Sequence, residues 1–419
     1  MTVNKDIDQR FDKVCQTTPV IDCHNDFPYL CRSHLHYELH SPGTKFDFNT
    51  VLNSQTDLVK MREGRMGVQF FSCWIECKDP DYLYDDFNKP TTVVRDTLEQ
   101  IDFIKRLCLE YPEHLTFVRT ADDAYKKFLE GKGQKISITL GVEGLHQVDL
   151  SLAVVRQYYE LGVRYITLTH NCDNPFATAA SSIAAGKADK GLTSYGVQCI
   201  EEMNRLGMIV DLSHVSHKTM IDVLRVTHAP VLFSHSSVYA LTHHERNVRD
   251  DVLEKVKQNN GVVSINFFPI FIRQHGNQDA TIEDAVDHIK YIVNKIGWDH
   301  VGLGSDFDGI PHGPKGLENT SKYPDLIKKV WEVTGASDEE IAKLMGMNVL
   351  RVWKDCERVS AQLEKLETPL VEANWDKRDW VFPGYAATEF PEIFPGSSKL
   401  HKNIYRFSDK LDNNPDVEE

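Results

Sequence analysis

The chain has 419 residues, with 47 basic and 62 acidic side chains and a formal net charge of −15. Hydrophobic residues make up 41% and charged residues 26%, a globular mixture that excludes wholesale disorder, collagen and low-complexity fibres. No basic stripe stands out, so a phosphate-backbone partner is not expected: no nucleic acid.

Short, β-branched apolar runs recur along the chain: Val20–Asp22, Gly67–Ile75, Ile136–Val142, Val163–Thr169, Met208–Leu212, Pro230–Phe233, Val262–Phe267 and Val301–Gly304. They are nearly continuous in hydrophobicity, as strands buried on both faces should be. Amphipathic helices lie between them. Leu98, Ile101, Ile104 and Cys108 make one apolar face. Ile282, Val286, Ile289, Val293 and Ile296 make another, opened by Thr281 and stopped by Gly297. Ser337 and Glu340 have the spacing of a capping box that opens a late helix. Eight strands alternating with helices imply a parallel sheet, and eight is the number that closes a (β/α)8 TIM barrel. A doubly wound open sheet is the rival, but neither a GxGxxG turn nor a GK[ST] loop supports it. The fold class expected is α/β, a (β/α)8 barrel over residues 1–365. Residues 366–419, rich in aromatics and prolines, are expected to form an irregular extension packed on the barrel or on a partner subunit, with about the last ten residues mobile.

In a barrel enzyme the chemistry lies at the C-terminal ends of the strands. The first run ends in His24-Asn25-Asp26, the third in Glu143, the fourth in His170, the fifth in His214 and the sixth in His235. The eighth ends in Asp306, with Asp308 two residues on. His24 and Asp26 are two apart, so on a strand both point the same way. Adding Glu143, His214 and His235 gives three imidazoles and two carboxylates. That is more than the three protein ligands of one catalytic zinc, and fits two ions ~3.5–4 Å apart sharing a carboxylate. Any one of these histidines alone would read as a hydrogen-bonded core residue; the joint pattern is harder to assign to packing. Asp308 could stand in for Asp306, although the first carboxylate after the strand is better placed. His146 stays undecided between core and a group supporting the ligands. His217, His243, His244 and His312 read as surface residues.

Nucleophile arrangements are weak. There is no GxSxG elbow, and Cys172, two residues after His170, reads as a buried thiol or a disulfide partner. Nine cysteines, an odd number without CxxC spacing, fit a reducing compartment better than a disulfide framework. No apolar run reaches the ~18 residues of a membrane span. With no apolar signal region at the N-terminus and no hydrophobic tail, a cytoplasmic location away from the membrane is expected.

The residues so collected carry a resemblance. The stretches IDCHND after Val20, GVEG at 141–144, YITLTHNCDNPF at 165–176, GMIVDLSHVS at 207–216, PVLFSHSS at 230–237, Arg246-Asn-Val, and GLGSDFDG at 302–309 are similar to the renal (membrane) dipeptidases, peptidase family M19, among the amidohydrolase-like barrels. The resemblance covers residues 15–365 and implies roles. His24, Asp26 and Glu143 would bind one Zn2+, and Glu143, His214 and His235 the other, two per chain. His170 would contact the scissile carbonyl oxygen, Arg246 would grip the substrate carboxylate, and Asp306 would handle the proton. Arg246 rests on the resemblance alone. Phe268 stands where members of the family often have tyrosine, and the segment Phe176-ATAASSIAAG replaces one that often contains tryptophan. Both touch the expected substrate wall. Cys77 and Cys172 sit where secreted members have a disulfide.

The function so implied is a binuclear zinc dipeptidase acting on small dipeptides with a free C-terminal carboxylate, Cys-Gly and L-Xaa-D-Xaa types among them, in a homodimer. The alternative is a zinc-dependent amide hydrolase or N-acyl-amino-acid deacylase on the same barrel.

Overall fold

Val20–Asn25 forms the first strand, β1, and pairs in parallel with β2, Met66–Cys73. The sheet then runs through β4 (Ile136–Glu143), β5 (Val163–Thr167), β6 (Ile209–Asp211), β7 (Leu232–Phe233), β8 (Val262–Ile265) and β9 (Val301–Leu303), every pair parallel. These eight strands match the eight runs read from the sequence, and helices lie between them, as in a (β/α)8 barrel. The computed structural model describes residues 2–40, 43, 45–77, 91–274, 279–376, 382–383 and 404–405.

The barrel closes between β9 and β1 at its C-terminal mouth. Asn25 bridges Phe307, Asp26 N–H donates to Phe307 O at 2.9 Å, and Asp306 N–H donates to His24 O at 3.1 Å. Below them the buried Asp22 carboxylate accepts Ser305 N–H at 2.9 Å and Ser305 Oγ–H at 2.7 Å. Pairing of β1 with β2 shifts register between Asp22 and Asn25, the stretch that holds His24. Such irregularities re-aim side chains at barrel rims.

A ninth strand, β3 (Leu115–Phe117), was not expected from the sequence. It pairs with the first half of β4, beside the barrel. It spans three residues and has no period to read. The helix Val93–Glu110 carries the expected face at Ile101, Ile104 and Cys108, but Leu98 is 40% exposed. Thr97 takes the inward position, its Oγ1 bonded to Gln147 Oε1 at 2.9 Å. Helix Ile282–Ile296 begins at a Thr281/Asp284 capping box and stops at Gly297, and Ser337 and Glu340 cap each other reciprocally.

The N-terminal mouth is covered by the helix Asn348–Lys365. Asn348 Nδ2 donates to Val301 O, where β9 begins, and Cys356 Sγ lies 3.4 Å from Pro230 O, before β7. Trp353 of this helix packs edge-on against Phe70 at 5.4 Å, and Phe70 lies 5.7 Å from Tyr165. The Tyr165 hydroxyl is 2.8 Å from His24 Nδ1, so a buried aromatic column links the barrel floor to its mouth. Gly141 is what lets the Tyr165 ring cross the barrel: a Cβ there would come within 2.0 Å of the ring. Gly141→Ala is therefore expected to cost about 1–3 kcal/mol, the range for overpacking a core. The check is the denaturation midpoint in guanidinium; an unchanged midpoint would show that the column has slack.

Residues 1–85 and 91–374 form one compact unit, and residues 86–90 and 375–419 a second. In the second unit Phe382–Pro383 pairs in parallel with Ile404–Tyr405. Most of the expected C-terminal extension, its mobile end included, lies outside the described residues. Val371, within the first unit, accepts Arg156 Nη1–H and donates its N–H to Glu202. Among the described residues no helix is long and apolar enough to cross a membrane.

Candidate active site

Each strand-end residue singled out in the sequence arrives at the same mouth. His24 lies on β1 and Asp26 just after it, and Glu143 is the last residue of β4. His170, His214 and Asp306 each follow their strand by three residues, and His235 follows β7 by two. His214, Asp306 and Asp308 adopt positive φ, at 64°, 65° and 64°. This region is uncommon for non-glycine residues, and its use marks loops held in place by their surroundings.

Glu143 stands at the centre. Its Oε2 lies 3.6 Å from His24 Nε2, which is itself 3.3 Å from Asp26 Oδ2. Its Oε1 lies 2.9 Å from His214 Nε2 and 3.3 Å from His235 Nε2. One carboxylate thus turns an oxygen to each of two donor groups. The donors of His24, Asp26 and Glu143 lie within 4.8 Å of one another, and so do those of Glu143, His214 and His235. All five side chains are buried.

The far side of each ring is held. His24 Nδ1 meets Tyr165 Oη at 2.8 Å, and His214 Nδ1 meets Asn171 Oδ1 at 3.2 Å. His235 Nδ1 meets Ser234 Oγ at 2.8 Å, and that hydroxyl donates to Asp211 at 2.7 Å. With Nδ1–H given to an oxygen, each of His214 and His235 turns an Nε2 lone pair inward. These two nitrogens face each other at 2.9 Å. With a Glu143 oxygen 2.9 Å from one and 3.3 Å from the other, the three donor atoms are placed to share a cation. His24 Nε2 and Asp26 Oδ1 are likewise buried without a hydrogen-bond partner. The donor set fits divalent metal ions bound through imidazole and carboxylate.

Above this cluster opens a cavity of about 580 Å3, lined by Tyr29, Trp74, His170, Arg246, Phe268 and Asp306 among others. That size suits a small-molecule ligand. His170 stands edge-on to Trp74 at 5.2 Å. Burial and the neighbouring cations hold its imidazole pKa well below the usual value, which keeps the ring neutral. Asp306 Oδ2 accepts Asn266 Nδ2–H at 2.9 Å. Burial, and then the Asp26 charge, push its pKa up to about 8; a bound dication would pull it back down.

Arg246 is buried. Its Nη2 donates to His235 O at 3.2 Å, its Nη1 to Ser236 Oγ at 3.4 Å, and its Nε–H finds no partner. The guanidinium sits over the Phe271 ring at 5.3 Å. Burial draws its pKa down to about 10, so the group stays charged at neutral pH. The nearby carboxylates in sequence pair elsewhere: Glu245 with Arg249, and Asp250 with Lys295. Arg246 thus faces the cavity as a buried cation with no carboxylate partner among the described ion pairs.

The sequence reading missed several contributors. Trp74 lies near the end of the run Gly67–Ile75, so strand-end logic could have found it. His244, read as a surface residue, lines the cavity and packs on Phe271 at 4.6 Å. The supporting oxygens of Tyr165, Asn171 and Ser234 carried no signal in spacing. Cys77 and Cys172 are joined in a disulfide, with Cα atoms 6.2 Å apart, while seven cysteines are free. The cysteine count alone gave no hint of that pair.

An eight-stranded barrel with imidazole and carboxylate donors at its C-terminal mouth has the architecture of a metal-dependent hydrolase. Residues 8–367 match the family described as Membrane dipeptidase (Peptidase family M19), and the chain belongs to that family. It is 63% identical over 394 residues to the uncharacterized dipeptidase C965.12 of Schizosaccharomyces pombe, covering 94% of this chain and 93% of that protein. It is 43% identical over 356 residues to the dipeptidase aclJ of Aspergillus oryzae, covering 84% and 81%. Among solved structures, the probable dipeptidase PvdM from Pseudomonas aeruginosa superposes with a TM-score of 0.71 at 21% identity, over 85% of this chain and 99% of that one. A metallo peptidase from Rhodobacter sphaeroides, liganded with a phosphinate mimic of the dipeptide L-Ala-D-Ala, gives 0.68 at 23%, over 81% and 99%. These two likenesses bear on the fold. The family makes the chain a hydrolase acting on dipeptides.

Proposed function

We propose that this protein is a binuclear zinc dipeptidase that hydrolyses dipeptides with a free C-terminal carboxylate. The observation that carries the reading is Glu143, whose two carboxylate oxygens divide between His24/Asp26 and His214/His235. His24, Asp26 and Glu143 would hold one ion, and Glu143, His214 and His235 the other. Two ions there would lower the pKa of a shared water and so supply hydroxide near neutral pH.

The chain's own groups divide the remaining work. Arg246 receives the substrate carboxylate by charge-assisted hydrogen bonds, which positions the peptide bond over the cluster. Neutral His170 donates its ring N–H to the carbonyl oxygen as charge develops there. Asp306 takes the proton released on attack and returns it to the leaving amine nitrogen. Phe268 and Trp74 form apolar walls for substrate side chains. On the family resemblance and the seven free cysteines, the reading extends to a cytoplasmic homodimer.

The test is a substrate panel: Cys-Gly, L-Ala-D-Ala, their C-terminal amides and N-acetyl amino acids. Both dipeptides are expected to turn over, and their amides to be at least ~30-fold poorer in kcat/KM, the effect of removing one partner of a desolvated charge pair. N-acetyl amino acids turned over faster than either dipeptide would shift the reading to a deacylase.

A further inference from the structure

Outside the cluster around Glu143, the described residues hold one more group of metal-ligand type: Cys77, His146 and Cys172. A ring nitrogen of His146 and the two sulfurs lie within 4.8 Å of one another, and none of these side chains belongs to the groups that contain Glu143. The three come from different strand-end segments. Cys77 follows β2 by four residues, His146 follows β4 by three, and Cys172 follows β5 by five. His146 is buried, with Nε2 held at 2.8 Å by Ile75 O and Nδ1 buried without a partner. Burial draws its pKa down to about 4, so the ring is neutral and keeps a free lone pair. In the structure the two sulfurs are bonded to each other. The disulfide bond alone leaves unexplained why a buried imidazole with one unpartnered nitrogen is packed beside it.

We propose that Cys77, Cys172 and His146 form a separate soft-metal site that fills when the disulfide is reduced. A dithiol reductant transfers two electrons and two protons. The S–S bond breaks, two thiols form, and the reductant becomes a disulfide. A Zn2+ ion then displaces the two thiol protons and binds two thiolates and the imidazole, a donor set that suits Zn2+ or Cu+. At Zn–S distances of ~2.3 Å in tetrahedral geometry the sulfurs stand ~3.8 Å apart, so the ion and the disulfide exclude each other. Either one clips the loop bearing Trp74 to the loop bearing His170 and Asn171. The catalytic mouth is therefore braced in an oxidising and in a reducing compartment.

The full-length protein is prepared in two forms, disulfide-intact and reduced with a dithiol under anaerobic conditions. Each is equilibrated with Zn2+ and freed of unbound metal. The reduced form is expected to carry one more zinc per chain than the oxidised form, and reduced Cys77→Ser to lose that increment. With Co2+ in place of Zn2+, a thiolate-to-metal charge-transfer band is expected in the reduced wild type alone. The increment does not depend on how many ions the Glu143 cluster holds, so failure there leaves this test intact. Comparing two redox forms of one sequence also avoids relying on how well a variant folds. Equal zinc content in the two forms, without a new charge-transfer band, would overturn the proposal.

Discussion

Arg246→Ala is expected to lower kcat/KM for dipeptides by ~30- to 1,000-fold, corresponding to ~2–4 kcal/mol for removing a charge-assisted hydrogen bond from a desolvated site. The size follows from the burial of the guanidinium and from its lack of a protein carboxylate. Its cost of desolvation is offset only when a ligand supplies the negative charge. The measurement is the penalty on a dipeptide and on the matching C-terminal amide. The amide has no carboxylate, so it should already be poor for the wild type and hardly worse for the variant. Arg246→Lys should recover part of the activity, because an ammonium keeps the charge but cannot reproduce the planar fork. Equal penalties on dipeptide and amide would mean that Arg246 serves the packing against Phe271 and His235 O, and the dipeptide preference would lose its physical basis.

Asp306→Asn is expected to lower kcat by at least ~100-fold, the lower range for losing a general acid–base group. Metal content should change little. The substitution is conformationally mild, since Asp306 sits at φ 65° and asparagine is among the residues that tolerate this region best. Asp308→Asn is the comparison. Asp308 Oδ1 accepts Gln55 N–H at 2.7 Å, and Asp308 N–H donates to Gln55 Oε1 at 2.6 Å, so this residue fastens the Gln55 segment. Its Oδ2 is buried without a partner and the residue lines the cavity, which keeps it a candidate for the proton. Near-normal turnover in Asp306→Asn with a large drop in Asp308→Asn would move the role by two residues.

Much of this molecule is legible in the sequence, because a parallel barrel writes its strands as runs buried on both faces and places chemistry where they end. His24, Glu143, His214 and His235 could be collected that way because each stands within a few residues of an apolar run. Local physics made other features unreadable. β3 has three residues, too few for any period. Thr97 takes the inward position expected for Leu98, with a buried partner, Gln147, for its hydroxyl; helical periodicity counts apolar residues and cannot see a satisfied hydroxyl. Tyr165 supports His24 from β5, three strands along the sheet from β1, through a ring crossing that Gly141 permits. His244, read as a surface residue, lies in a loop but lines the cavity, which its place in the sequence does not show. The Cys77–Cys172 pairing is marked only by the family resemblance, because cysteine counting does not encode proximity across 95 residues of sequence.

The most direct test of the central claim is the metal content of the disulfide-intact protein, purified without chelator and freed of loosely bound ions, measured together with its dipeptidase activity. The two-sided arrangement of Glu143 predicts two zinc ions per chain in fully active protein, with both removed on exhaustive chelation and activity returning as they are restored. A reproducible ratio of one zinc per chain at full activity would contradict the binuclear site.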